Sequence, residues 1–206
     1  MRRVSPCATA IVAFACAAWA TVGVSADPFD ASVPSVQYRL DPHRSGVTFD
    51  VTNAWHAKLT MRFSRMRGQL DRFKGDGAGR VTVTIDATSL EASEPFVAGT
   101  VEGGDMLDVA HYPAIRFVST RCERTGTATA RLVGDLTIRE TTRPVAFAVT
   151  FDADPRDPPG VPRTLTISAD GHFSRTAFGL SRWSSAIGDD VHMRIQAEFV
   201  RERPGP

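Results

Sequence analysis

Cysteine is scarce in this chain. Of the three, Cys7 and Cys16 stand within the first 26 residues, which leaves Cys122 by itself in the remainder. A lone cysteine closes no internal disulfide, so stability has to come from buried apolar surface. Charge of one sign is also missing, with 24 Lys and Arg against 23 Asp and Glu. Without Arg2 and Arg3 the balance is 22 against 23, which gives no electrostatic reason to expect nucleic acid as a partner. Past residue 26 there is no apolar run long enough to cross a bilayer as a helix. The strongly apolar run from Ile11 to Val24, short for a span, follows Arg2 and Arg3 and ends in Val24-Ser25-Ala26. That pattern reads as a secretory signal peptide over 1–26, cut before Asp27, and predicts an exported, periplasmic protein. Residues 27–36, with Pro28 and Pro34, read as an extended leader, and 37–202 as one domain with a single core.

Motifs for covalent or metal chemistry are equally sparse. There is no Gly-x-Ser-x-Gly, and Cys122 has no context that marks a nucleophile. None of His43, His56, His111, His172 and His192 stands at a spacing such as His-x-x-x-His. His172 and His192 fall on the outward register of their strands and read as surface residues. His43 and His56 flank the first long strand, with no thiolate or carboxylate cluster beside them to complete a metal site at one barrel end. Asp189-Asp190 reads as a turn and strand entry. Gly75-Asp76-Gly77-Ala78-Gly79 has no following lysine and opens no helix, so it reads as a hairpin rather than a phosphate loop. On this reading the chain has no catalytic residue, metal ligand or cofactor, and it is not an enzyme.

What the chain does contain is alternation. Val191, Met193, Ile195, Ala197 and Phe199 interleave with His192, Arg194, Gln196 and Glu198, a strand with one dry and one wet face. The same period of two recurs in Val47/Phe49/Val51, Leu59/Met61/Phe63, Val81/Val83/Ile85, Ile115/Phe117, Leu132/Leu136/Ile138, Val145/Phe147/Val149/Phe151 and Leu165/Ile167/Ala169. With no long amphipathic helices to cover eight dry faces, the sheet has to close on itself. The predicted fold is all-β, an eight-stranded antiparallel barrel with one or two short helices at a barrel end. Turn signals at 74–79, 123–126, 139–143 and 152–162 join the strands as hairpins. Two stretches break the alternation. Residues 89–112 carry Phe96, Val97, Val101, Met106 and Leu107 at irregular steps and read as a crossover or lid, and residues 175–190 carry Phe178, Leu180 and Trp183 and flank an opening. The inward positions are rich in Phe and Met, which suits a hollow apolar interior as well as a packed one.

Several segments resemble the YceI-like family of exported proteins. Tyr38-Arg-Leu-Asp-Pro-His43 with Val47-Thr-Phe49 is similar to the family's opening strand, and Asp108-Val-Ala-His-Tyr-Pro113 running to Thr120 to its central signature. Gly134 to Ile138 with Thr142 to Val145, Ser174 to Gly179, and Ile187 to Val191 follow in the same order. The resemblance implies an extended lipocalin-like barrel with a long hydrophobic tunnel that holds polyisoprenoid or other long-chain lipids. The sequence departs from the family at Glu140, where a tight turn usually has glycine. It departs again at 98–104, where glycines weaken the local helix, and at Trp55-His56, near the expected ligand mouth.

Three classes of function are open on this reading. As a carrier or store, the barrel would hold a long-chain apolar lipid, a polyisoprenoid or an isoprenoid quinone, as its bound molecule. Phe49, Met61, Phe63, Ile85, Phe117, Phe147 and Met193 would line the tunnel, and Phe96, Met106, Leu107, Phe178 and Trp183 would close its ends. Expected partners are the lipid, a passing membrane-surface contact and a second copy of the chain in a homodimer. The alternatives are a filled barrel that acts without a ligand in a stress response, or an enzyme modifying a lipid or amide with His43 or His56 as acid/base.

Overall fold

The computed structural model describes residues 36–72, 79–153, 157 and 162–203. The expected signal peptide, the leader up to residue 35 and most of the turns at 74–79 and 152–162 lie outside the described residues. Eleven strand segments follow one another: β1 (Val36–Leu40), β2 (Gly46–Asn53), β3 (Lys58–Phe63), β4 (Met66–Arg72), β5 (Gly79–Asp86), β6 (Leu90–Ala92), β7 (Ala114–Arg124), β8 (Thr129–Ile138), β9 (Thr141–Ala153), β10 (Thr164–Ser174) and β11 (Ile187–Arg201). One α-helix, α1 (Pro95–Glu102), lies between β6 and β7.

The pairings reduce these segments to eight strands. β1 pairs with residues 199–201 of β11 and β2 with residues 187–196, so β1 and β2 are two halves of one interrupted strand. β4 pairs with β1 and β3 with β2, and β5 pairs with β4 while β6 pairs with β3, which repeats the interruption twice. β7 to β11 then follow as an antiparallel meander, and β11 closes back on β1. The sequence expectation of a closed eight-stranded antiparallel barrel is therefore met.

The three interruptions lie side by side and have local causes. Between β1 and β2, Asp41 precedes Pro42 and its side chain accepts a hydrogen bond from His43 N at 2.9 Å, which turns the chain. Ser45 Oγ replaces a backbone acceptor there by taking the Glu198 N–H at 3.0 Å. Between β5 and β6 a single 3-10 turn, Ala87–Ser89, is capped by Asp86, which accepts from Thr88 N at 3.0 Å. Arg65, at the break between β3 and β4, donates to Asp86 at 2.9 Å and to Thr88 Oγ1 at 2.9 Å, joining two of the bends.

Beyond the bends the ring is incomplete. The β5–β7 ladder stops at Asp86 opposite Ala114, and among the described residues β6 pairs with β3 alone. Helix α1 and residues 103–113 occupy this gap. The helix forms in spite of Gly99 because Pro95 supplies a preset φ at its first turn, and Val97 and Val101, one turn apart, pack against the core. The glycines at 98–104, expected to weaken a helix, limit it to eight residues, with Gly103 as C-cap. At the β8–β9 turn the left-handed φ of 55° falls on Arg139 and not on Glu140. A glycine at position 140 is therefore not required for this turn.

His43 and His56 lie at opposite ends of β2, roughly 25 Å apart by strand rise. They do not meet at one end of the barrel. Inward side chains alternate as expected, with Val47, Leu136 and Phe199 each 1% exposed. Tyr38 is fully buried and its hydroxyl donates to the Pro162 carbonyl at 3.0 Å.

Candidate ligand cavity

The barrel interior is not filled. A cavity of about 360 Å³ lies at the α1 end, walled by β2, β3 and β11 and by both stretches that break the alternation. A second, of about 430 Å³, lies at the opposite end under β4, β5 and β10. Both fall within the roughly 300–1,000 Å³ of small-molecule sites. Alternate inward residues of one strand serve the two spaces: Ile85 and Val83, Ile115 and Phe117, Met193 and Ile195 face the first and second cavities respectively. The long tunnel that the resemblance implies is thus divided at a waist one layer of side chains thick.

On the second cavity's side of this boundary, Phe117 and Phe147 rest on two glycines. Phe117 and Phe147 meet edge to face with centroids 5.5 Å apart. A Cβ on Gly134 would come within 2.5 Å of the Phe117 ring, and one on Gly171 within 2.5 Å of the Phe147 ring. Each ring therefore lies flat on a strand position with no side chain, where only glycine permits such an approach.

Of the residues expected to face a ligand, Phe49, Phe63, Ile85, Phe96, Met106, Leu107, Trp183 and Met193 line the first cavity. Phe117 and Phe147 line the second. Met61 and Phe178 line neither. Met61, paired with Phe49 and Ala92, is 4% exposed and consumed in packing. Phe178 is 2% exposed and stands edge-on behind Phe173, 5.3 Å between centroids, so Phe173 forms the wall in its place.

The mouth of the first cavity carries exposed aromatics. Trp55 on the β2–β3 turn is 80% exposed, Phe96 on α1 72% and Trp183 39%, and all three reach the cavity. The loops beneath them are pinned. Arg139 donates to the Met106 carbonyl at 3.2 Å, Tyr112 hydrogen-bonds Glu140, and Arg182 pairs with Asp105 at 3.6 Å across the two irregular stretches. Arg175 is the main clamp: 3% exposed, it donates to the carbonyls of Gly188, Arg182 and Ile187 at 2.8–2.9 Å and to that of Leu180. Burial pulls its guanidinium below the ordinary value, with Asp189 opposing. Nothing in the alternation marked Arg175 as structural; its place in the Ser174–Gly179 segment was the one available signal. Cys122, half-buried on the second cavity, has its thiol pushed up by burial, with Arg124 opposing. It is unsuited to nucleophilic work.

The sequence pattern of the YceI-like domain matches residues 38–199. This chain belongs to the YceI-like family. Among curated sequences, a UPF0312 protein of Pseudomonas putida (strain W619) is 31% identical over 126 residues, covering 61% of this chain and 65% of that protein. A UPF0312 protein of Pseudomonas fluorescens (strain SBW25) is 36% identical over 124 residues, 60% of this chain and 64% of that protein. The matched part thus spans just under two thirds of these relatives. Among solved structures, BcnA of Burkholderia cenocepacia superposes with a TM-score of 0.68 at 22% identity, over 77% of this chain and 98% of that one. A polyisoprenoid binding domain from Saccharophagus degradans, described as implicated in plant cell wall breakdown, superposes with a TM-score of 0.61 at 13% identity, over 80% and 98%. At these identities the structural likeness speaks for the YceI-like fold.

Proposed function

We propose that this YceI-like barrel is a periplasmic carrier or store for a long-chain apolar lipid, a polyisoprenoid or the tail of an isoprenoid quinone. The observation that carries this reading is the first cavity, whose wall is almost wholly aliphatic and aromatic and whose mouth is ringed by Trp55, Phe96 and Trp183. A chain that buries ten methylenes there gains on the order of 8 kcal/mol at about 0.8 each, before the cost of ordering it. The polyisoprenoid binding domain that shares the fold supports the choice of chain. The aromatic rim suits a transient contact with a membrane surface, from which such a chain would be drawn. The acid/base alternative has little to build on, since neither His43 nor His56 lines either cavity.

The test is mass spectrometry of the organic extract from protein purified after export in its native membrane context. The expected result is a stoichiometric polyprenyl or prenylquinone species that co-purifies with the folded barrel. Folded protein that yields no lipid, and takes up none from membranes, overturns the proposal.

A further inference from the structure

On the outer wall, away from both cavities, the β10–β11 register sets His172 directly opposite His192. Their rings stack with centroids 4.4 Å apart and an interplanar angle of 10°. Asp170, two residues before His172 on the same face, reaches across to His192 Nε2 at 2.6 Å. One donor atom from each of Asp170, His172 and His192 lies within 4.8 Å of the others. We propose that these three side chains form a binding site for a divalent transition ion of the zinc class.

The surroundings fit that role. Asp190 holds His172 Nδ1 at 3.0 Å, which leaves Nε2 of that ring for the ion. Asp50 stands 3.9 Å from His192 Nδ1, on the far side of the ring from Asp170. His172 thus has a carboxylate behind it, the arrangement that orients an imidazole ligand and raises its basicity, while Asp50 stands beyond hydrogen-bond reach of His192. Asp50 is 4% exposed and is itself fixed by Thr60 at 2.6 Å, Arg194 at 2.7 Å and Lys58 at 2.9 Å. Both cations are engaged by Asp50, and Arg194, although it is the cross-strand register partner of Asp170, turns its guanidinium to Asp50. Two imidazoles and one carboxylate select zinc or its neighbours over magnesium and calcium, which prefer all-oxygen shells. Because the rings are parallel, their in-plane lone pairs do not converge as they stand; an ion held by both requires the exposed His172 to turn out of the stack and takes the place of the direct contact between Asp170 and His192. Three protein ligands leave a fourth position to water on the solvent side.

The experiment is calorimetric titration of zinc chloride into full-length protein carrying no histidine tag, repeated in excess magnesium. The expected result is one ion per chain, undisturbed by magnesium, with binding weakened about tenfold or more in Asp190→Asn and lost in the His172→Ala/His192→Ala double variant. His43→Ala, in the bend between β1 and β2, keeps the wild-type isotherm. Far-UV circular dichroism checks that the variants retain the barrel, as the exposed positions of His172 and Asp190 and the half-buried outer-face position of His192 predict. Absence of saturable zinc binding by the wild type overturns the proposal, as does unchanged binding in a folded double variant. Lipid retention is read separately by mass spectrometry, so the two proposals fail independently.

Discussion

Asp86 shows how much a single exposed side chain contributes to this barrel. It caps the 3-10 turn that bends β5 into β6, and it ties that bend to Arg65. The Thr88 hydroxyl, foremost, with Arg65 and the Thr88 N–H, holds the Asp86 carboxyl below its ordinary value of 3.8, against a smaller upward push from burial. A carboxylate with a lowered folded-state pKa stabilises the fold above about pH 4, and the contribution is lost as pH falls through the folded value. Asp86→Ala should therefore lower the melting temperature at pH 7 by about 2–4 °C, corresponding to a cap worth no more than about 1 kcal/mol given its exposure. The gap between variant and wild type should narrow as pH drops from 5 to 3, followed by thermal unfolding. A gap that widens instead would mean Asp86 does not act through its charge. None of this was legible in the sequence, where Asp86 reads as the end of an alternating run. The cap depends on Arg65, 21 residues away, which only the folded chain brings close.

At the scale of elements, period-two alternation was enough to locate most strands, because each has one face in the core and one in water. It also isolated 89–112 and 175–190 as different in kind. Those stretches do share one cavity, although the second ends at residue 186, since β11 begins at Ile187. Alternation could not report the side-by-side bends in β1/β2, β3/β4 and β5/β6, because a bend leaves the inward set unchanged. Sequence spacing also does not relate His172 to His192, which lie 20 positions apart and meet through strand register alone. Trp55 stood out only as an oddity near the expected mouth, yet it is the most exposed large apolar side chain there. Such side chains favour the bilayer interface. The variant Trp55→Ser/Phe96→Ser should retain its melting temperature within error and lose about tenfold in partitioning onto phosphatidylethanolamine–phosphatidylglycerol vesicles, from roughly 1.4 kcal/mol of lost apolar burial. Co-sedimentation measures it, and equal partitioning of variant and wild type would remove the rim from the loading step.

For the whole molecule the decisive feature is that two cavities share one barrel. Sequence reading placed Phe117 and Phe147 inside but could not say that they would meet, because Gly134 and Gly171 leave no trace in a hydrophobic pattern. Their rings reach each other only because those glycines let them lie against the wall. A chain entering at the α1 end has about 360 Å³ in the first cavity, and Phe117 and Phe147 line the second cavity beyond it. In the wild type, affinity for a series of prenyl alcohols of rising length should climb by up to about fourfold per buried methylene and then level off once the first cavity is full. Phe117→Leu opens the waist while keeping an apolar side chain against Gly134, at a cost of about 1–3 kcal/mol, within reach of a barrel this size. Affinity in that variant should go on rising past the wild-type plateau, as measured by displacement of a fluorescent fatty probe. If both proteins level off at the same chain length, the phenylalanine pair does not limit the chain. The two spaces would then act as a single tunnel whose length is set at the far end, where Pro162 lines the second cavity.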